Sequence, residues 1–153
     1  MKILQVPEDE AELRKVSALV TSIDQEVLDL ISAMRSTLRD AGAIGLAAPQ
    51  VGVHKRIIVW ADGANPDGIL HCLINPKVWS LEATRQTNTE GCLSVPGVML
   101  DIVRAATIQV TGPFPTGRLG TMTLRGLEGA CVQHEVEHLD GIMFHDGATE
   151  IHP

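Results

Sequence analysis

Between about Gln25 and Arg39 apolar side chains recur three and four residues apart, at Val27, Leu30, Ile31, Met34 and Leu38, with polar residues between them. That period predicts an amphipathic helix, capped by Ser22 or Asp24 and stopped by Gly42. Further on, Arg56 to Trp60 predicts a buried strand, and Leu73 to Leu81, carrying Asn75-Pro76, a second. Ala106 to Thr111 and Gly120 to Leu124 predict two more short strands. From about Leu127 to Leu139 helical spacing returns, with Leu127, Ala130, Cys131, Val132, Val136 and Leu139 apolar and Gly141 as terminator. Helices that bracket strands predict an α+β fold, with antiparallel or mixed sheets packed around a C-terminal helix.

Composition narrows this picture. Glycine and proline are spread through the middle, without a repeat or linker, so residues 1–153 are expected to form one domain. A chain of this length buries roughly two-thirds of its unfolded surface, enough for a core without disulfides. Cys72, Cys92 and Cys131 are odd in number, and no basic N-terminal region precedes an apolar stretch, so a reducing, bacterial-type cytoplasm is expected, with an organelle or phage origin left open. No apolar run approaches the ~20 residues that span a bilayer. A formal charge of −7 disfavours general adhesion to nucleic acid or anionic membrane, so a partner has to be recognised locally.

Candidate chemistry concentrates in the last predicted helix, at His134-Glu135-Val136-Glu137-His138. Residues four apart on a helix share a face, with Cβ atoms about 5–6 Å apart, so both imidazoles can reach one ion while Glu135 points at whatever the ion binds. Known downstream positions for a third ligand fit poorly: His145 comes one residue late after Gly141, and Glu150 lies in a polar tail expected to be loose. Upstream, Cys92 sits among glycines and a proline in Glu90-Gly91-Cys92-Leu93-Ser94-Val95-Pro96-Gly97, a strand-to-turn context from which a thiolate can face the helix. Two imidazoles and one thiolate make a tetrahedral site with an open fourth position, the catalytic pattern for zinc-type metals.

Three separated segments, Ile44-Gly45-Leu46-Ala47-Ala48-Pro49-Gln50, Glu90-Gly91-Cys92-Leu93-Ser94 and Gln133-His134-Glu135-Val136-Glu137-His138-Leu139-Asp140-Gly141, closely resemble the signatures of peptide deformylases, in the same order and spacing. The likeness runs from the first helix to about Phe144 and includes Asn75-Pro76, Arg104 and Gly126-Leu127. It implies a metal-dependent hydrolase that releases formate from N-formylmethionine at the start of newly made polypeptides. It also implies one divalent ion on Cys92, His134 and His138, Fe2+ being usual and Zn2+, Ni2+ or Co2+ substitutes. Under the resemblance Glu135 is the general acid and base, Gln50 and the backbone N–H of Leu93 donate to the oxyanion, and Ile44, Gly45, Cys131 and the stem of His134 border the methionine pocket. The implied partner is the formylated N-terminus of nascent chains, with transient ribosome contact but no nucleic-acid specificity and no membrane.

Two other function classes compete: a deformylase-like protein that keeps metal and fold as a binding module, and a general metallopeptidase. An intact Glu135 speaks against the first, and the Cys ligand with the triple match against the second. Outside the motifs, Cys72 and Cys131 are expected as small buried hydrophobes. His54, His71, His145 and His152 are expected to be solvated, as are Asp140, Glu150 and the acidic stretch Glu8 to Glu12, while Glu90 and Arg104 are expected to pair near the metal loop. Departures from the family pattern are Ala43 for glycine, which strains the backbone if φ is positive, Glu137 for aspartate between the histidines, and Met99-Leu100 where the next substrate residues lie. The sequence ends within about ten residues of the last helix, so docking on the ribosome through a long C-terminal extension of the sort some relatives carry is not expected.

Overall fold

The computed structural model describes the backbone of residues 1–152 and the side chains of residues 1–146. Its helices are α1 (Glu10–Leu13), α2 (Gln25–Ala41) and α3 (Gly126–Leu139). The strands are β1 (Gly45–Ala47), β2 (Ile57–Ala61), β3 (Leu70–Ile74), β4 (Lys77–Ser80), β5 (Arg85–Cys92), β6 (Val95–Ala105), β7 (Thr107–Pro113), β8 (Leu119–Arg125) and β9 (Ala148–His152). They form three antiparallel sheets, ordered β1-β2-β3, β4-β7-β8 and β5-β6-β9.

The predicted helices form for the expected reasons. The Asp24 carboxylate accepts from the backbone N–H of Val27 at 3.0 Å, and Gly42 takes the left-handed conformation (φ 63°) that ends α2. Strand β2 is buried along its whole length because it is covered on both faces. Ile57 and Val59 join Val27, Ile31, Met34 and Leu38 of α2, whereas Ile58 and Trp60 pack with Val132 and Leu139 of α3. Strand alternation thus decides which helix each residue meets. A third cluster, with Leu13, Leu100, Ile102, Met143 and Phe144, closes the far side of the β5–β6 hairpin.

Three expectations change. Leu73 to Leu81 is two strands in different sheets, because Asn75 adopts φ 49° and Pro76 has no N–H for a ladder. The Asn75 side chain holds that corner by accepting from Val20 N–H and donating to Val20 C=O, both at 2.9 Å. The β5–β6 hairpin, paired from Arg85 with Ala105 to Cys92 with Val95, is not among the predicted strands. The tail is not a loose end, since β9 pairs with β6; the side chains of Glu150 and His152 lie outside the described residues.

The N-terminal segment packs tightly on the turn after α3. Gly141 has φ 71°, and a Cβ there would overlap the carbonyl oxygen of Arg14. Gly141→Ala is therefore expected to destabilise the protein by at least about 1–3 kcal/mol, read as a lower urea midpoint with an unchanged m-value.

Candidate active site

Helix α3 is nearly surrounded, and its buried residues include His134, Glu135 and His138 as well as Ala130, Cys131 and Val132. Gln133 fixes its register against β6: its Oε1 accepts from Ala105 N–H at 3.0 Å and its Nε2 donates to Ala105 C=O at 2.9 Å. That clamp brings the end of β5 over the helix. Cys92 Sγ then lies 3.4 Å from His138 Nε2, and ligand atoms of Cys92, His134 and His138 all fall within 4.8 Å of one another.

These residues fit a divalent ion. A tetrahedron with Zn–S near 2.3 Å and Zn–N near 2.0 Å has S–N edges of about 3.5 Å, close to the spacing found. His134 Nδ1 is 2.9 Å from Glu90 Oε1, and the carboxylate can only accept, so Nδ1 carries the proton and Nε2 faces the site. Burial holds His138 well below its usual range, leaving a neutral imidazole suited to ligation. Burial also opposes the charged form of His134, yet hydrogen bonds to Cys92 and Glu90 and the charge of Glu135 raise it to about 10. An incoming cation must displace that proton, so metal binding strengthens as pH rises.

Glu90 is the hub of the surrounding charges. Burial would raise its pKa, but hydrogen bonds from His134 and Arg104 outweigh burial and keep it ionised. Arg104 donates through Nε at 2.5 Å and Nη2 at 2.9 Å to the two Glu90 oxygens, and through Nη1 to Glu137. The longer Glu137 side chain is thus absorbed by reaching the same guanidinium. Burial raises Glu135 to about 7, and its Oε2 has no hydrogen-bond partner among the described residues. A carboxylate raised toward neutrality, with one oxygen unpartnered among the described residues and a ligand cluster beside it, is equipped to exchange protons.

A cavity of about 610 Å³ opens onto Glu135 and is lined by Ile44, Gly45, Leu93, Met99, Leu127 and Cys131, among others. Gly45 is small by necessity, because a Cβ there would sit 2.6 Å from both Cys131 Sγ and Glu135 Oε1. Cys131 stays a thiol, since burial first and then nearby Glu135 push its pKa well up, and it donates to Ile44 C=O at 3.5 Å. Gln50 is buried; its Oε1 accepts from Ala47 N–H at 2.9 Å, which turns Nε2 toward Ser94 Oγ at 3.1 Å and Cys92 Sγ at 3.8 Å. Sequence reasoning did not single out Ser94, Gln133 or Leu127. The available signal for Leu127 was its place in the Gly126-Leu127 likeness; its exposure at the start of α3 is visible only in the structure.

A family model described as polypeptide deformylase matches residues 1–153. The chain belongs to the peptide deformylase family. It is 41% identical over 139 residues to peptide deformylase 2 of Prochlorococcus marinus (strain MIT 9313), covering 90% of this chain and 69% of that one. It is 40% identical over 154 residues to the peptide deformylase of Symbiobacterium thermophilum, covering 100% and 70%. Among solved structures, the Synechococcus elongatus peptide deformylase in complex with actinonin superposes with a TM-score of 0.90 at 34% identity, covering 98% and 81%. The Legionella pneumophila peptide deformylase does so with a TM-score of 0.88 at 35% identity, covering 97% and 85%.

The deformylase departures now have locations. Ala43 is not among the residues with positive φ; it borders the cavity and packs on the first core cluster, so the strain expected there is absent. Met99 lines the cavity mouth, whereas Leu100 points into the third core cluster. Three histidines expected to be solvated are engaged: His54 Nε2 lies 2.8 Å from Glu12, His71 Nε2 lies 2.8 Å from Asp62, and His145 Nε2 lies 3.4 Å from Arg14 Nη2. Cys72 is an inert buried thiol whose pKa burial raises to about 12.

Arg104→Leu removes the guanidinium that answers Glu90 and Glu137. It is expected to destabilise the protein by about 3–5 kcal/mol in chemical denaturation. Metal affinity should also fall about 10–100-fold in a chelator competition titration.

Proposed function

We propose that Cys92, His134 and His138 hold one divalent ion, that Glu135 moves the proton, and that Gln50 and the Leu93 N–H steady the developing negative charge. The reaction is that of the family: hydrolytic removal of the formyl group from the N-terminus of nascent peptides. The binding-module alternative is not favoured. What carries the assignment of roles is the unpartnered Glu135 carboxylate, raised to about 7, beside the Cys92, His134 and His138 donors at the end of the cavity.

When bound, the ion supplies Lewis acidity that makes water a nucleophile near neutral pH and polarises the formyl carbonyl. Ionised Glu135 takes a proton from the attacking water and later returns it to the amine nitrogen as the C–N bond breaks, releasing formate and a free N-terminus. Gln50 Nε2, oriented by the Ala47 N–H, and the Leu93 N–H donate to the oxygen that becomes negative, work for which one lost donor typically costs about 3–4 kcal/mol. Gly45, Ile44 and Cys131 shape an apolar wall for the methionine side chain, with Leu127 beside them. A Cys/His donor set suits Fe2+, Zn2+, Ni2+ or Co2+, and Fe2+ is the native ion in this reading. Residues 1–153 act as one deformylase domain. It works in the cytoplasm on formylated nascent chains, with transient contact at the ribosome; no helix among the described residues is long and apolar enough to cross a membrane.

Protein loaded anaerobically with Fe2+ or with Ni2+ should release formate from formyl-Met-Ala-Ser. Glu135→Ala should abolish release while retaining metal, and Cys92→Ala should lose the metal; absence of formate from fully metallated wild type would overturn the assignment. Because the base must be ionised, kcat/KM should fall as pH drops through the Glu135 pKa, at or below about 7, since a nearby cation lowers it. Gly45→Ala should keep fold and metal but displace the Glu135 carboxylate, lowering kcat/KM on the order of 10²-fold in the same assay.

A further inference from the structure

Away from the cavity, Asp62, His71 and Glu128 converge from three elements. Asp62 begins the turn after β2, His71 lies on β3 opposite Trp60, and Glu128 is in the first turn of α3. One ligand atom of each falls within 4.8 Å of the other two. His71 Nε2 and Asp62 Oδ1 are 2.8 Å apart, and Trp60 Nε1 donates to Glu128 Oε1 at 3.0 Å.

The surroundings orient this trio. Trp60 is fully buried, its ring lies 5.2 Å from the His71 ring, and its N–H sets the direction of the Glu128 carboxylate, as outer donors do for metal ligands. Among the described residues neither carboxylate has a lysine or arginine within ion-pair distance, so with a neutral imidazole the trio carries two uncompensated negative charges. A divalent cation neutralises them, whereas a protonated His71 answers only one. One imidazole with two carboxylates is a donor set for borderline cations such as Zn2+ rather than for Mg2+, which prefers oxygen and water.

We propose that Asp62, His71 and Glu128 form a second divalent-metal site of the zinc type, separate from the catalytic donors. An ion there ties the β2–β3 hairpin to the first turn of α3, next to Leu127 at the cavity wall.

The test counts metal, so it stands or falls apart from formate release. Protein whose catalytic centre is filled with Ni2+ is dialysed against buffered micromolar Zn2+, and total metal is measured by mass spectrometry. Wild type should hold two ions per chain. His71→Ala and Asp62→Asn should each hold one, with formate release unchanged; Asp62 is exposed, so its isosteric variant tests the site even if the histidine variant folds poorly. Cys92→Ala should also hold one, and adding Asp62→Asn to it should remove that ion. A wild-type total of one, or two ions persisting in both His71→Ala and Asp62→Asn, would show an ion pair only and overturn the proposal.

Discussion

The carboxylate that orients His134 is itself buried, and it stays ionised only because its charge is answered there, by the buried Arg104 guanidinium. It satisfies both oxygens of Glu90, and Glu90 in turn fixes the proton on His134 Nδ1. A buried ion pair contributes little net stability, because desolvation offsets the Coulomb attraction. Its value lies in geometry: the strand that supplies Cys92 and the helix that supplies the histidines are locked through one planar fork. Gln133 adds a second, uncharged clamp between α3 and β6.

Glu135 shows the opposite arrangement. It sits on the same buried helix without a hydrogen bond to the guanidinium, with one oxygen unpartnered among the described residues and a pKa that burial raises to about 7. A carboxyl group left in that condition destabilises the folded state above its ordinary pKa, where burial opposes ionisation. Stability is thus lower where reactivity is needed, a common feature of active sites. Gly45 permits it, since any side chain there would enter the space of Glu135 and Cys131.

Much of this was legible before any coordinates. The period of Val27, Ile31, Met34 and Leu38 located α2 and its caps, because one apolar face and local capping chemistry are written in neighbouring residues. The spacing of His134 and His138 put two imidazoles on one helical face by the same local rule. The β5–β6 hairpin was far less visible, since strand β5 is largely polar and exposed and leaves little alternation to detect. Asn75-Pro76 was seen but not understood as a corner between sheets, because that depends on Val20 reaching across to the Asn75 side chain.

By itself the sequence determined which groups are available and their local spacing: the helix-borne His134, Glu135 and His138, the small residues around Cys92, and the three-part family pattern. Tertiary structure decided what those groups are chemically. Burial and through-space charge separate a lowered His138 from a raised His134 and a lowered Glu90 from a raised Glu135, although the residue types within each pair are identical. It also decided that Glu137 shares a guanidinium with Glu90, and that His71, without a motif of its own, meets Asp62 and Glu128. Both outcomes come from residues distant in the chain being pressed together out of water, and no local period records such contacts.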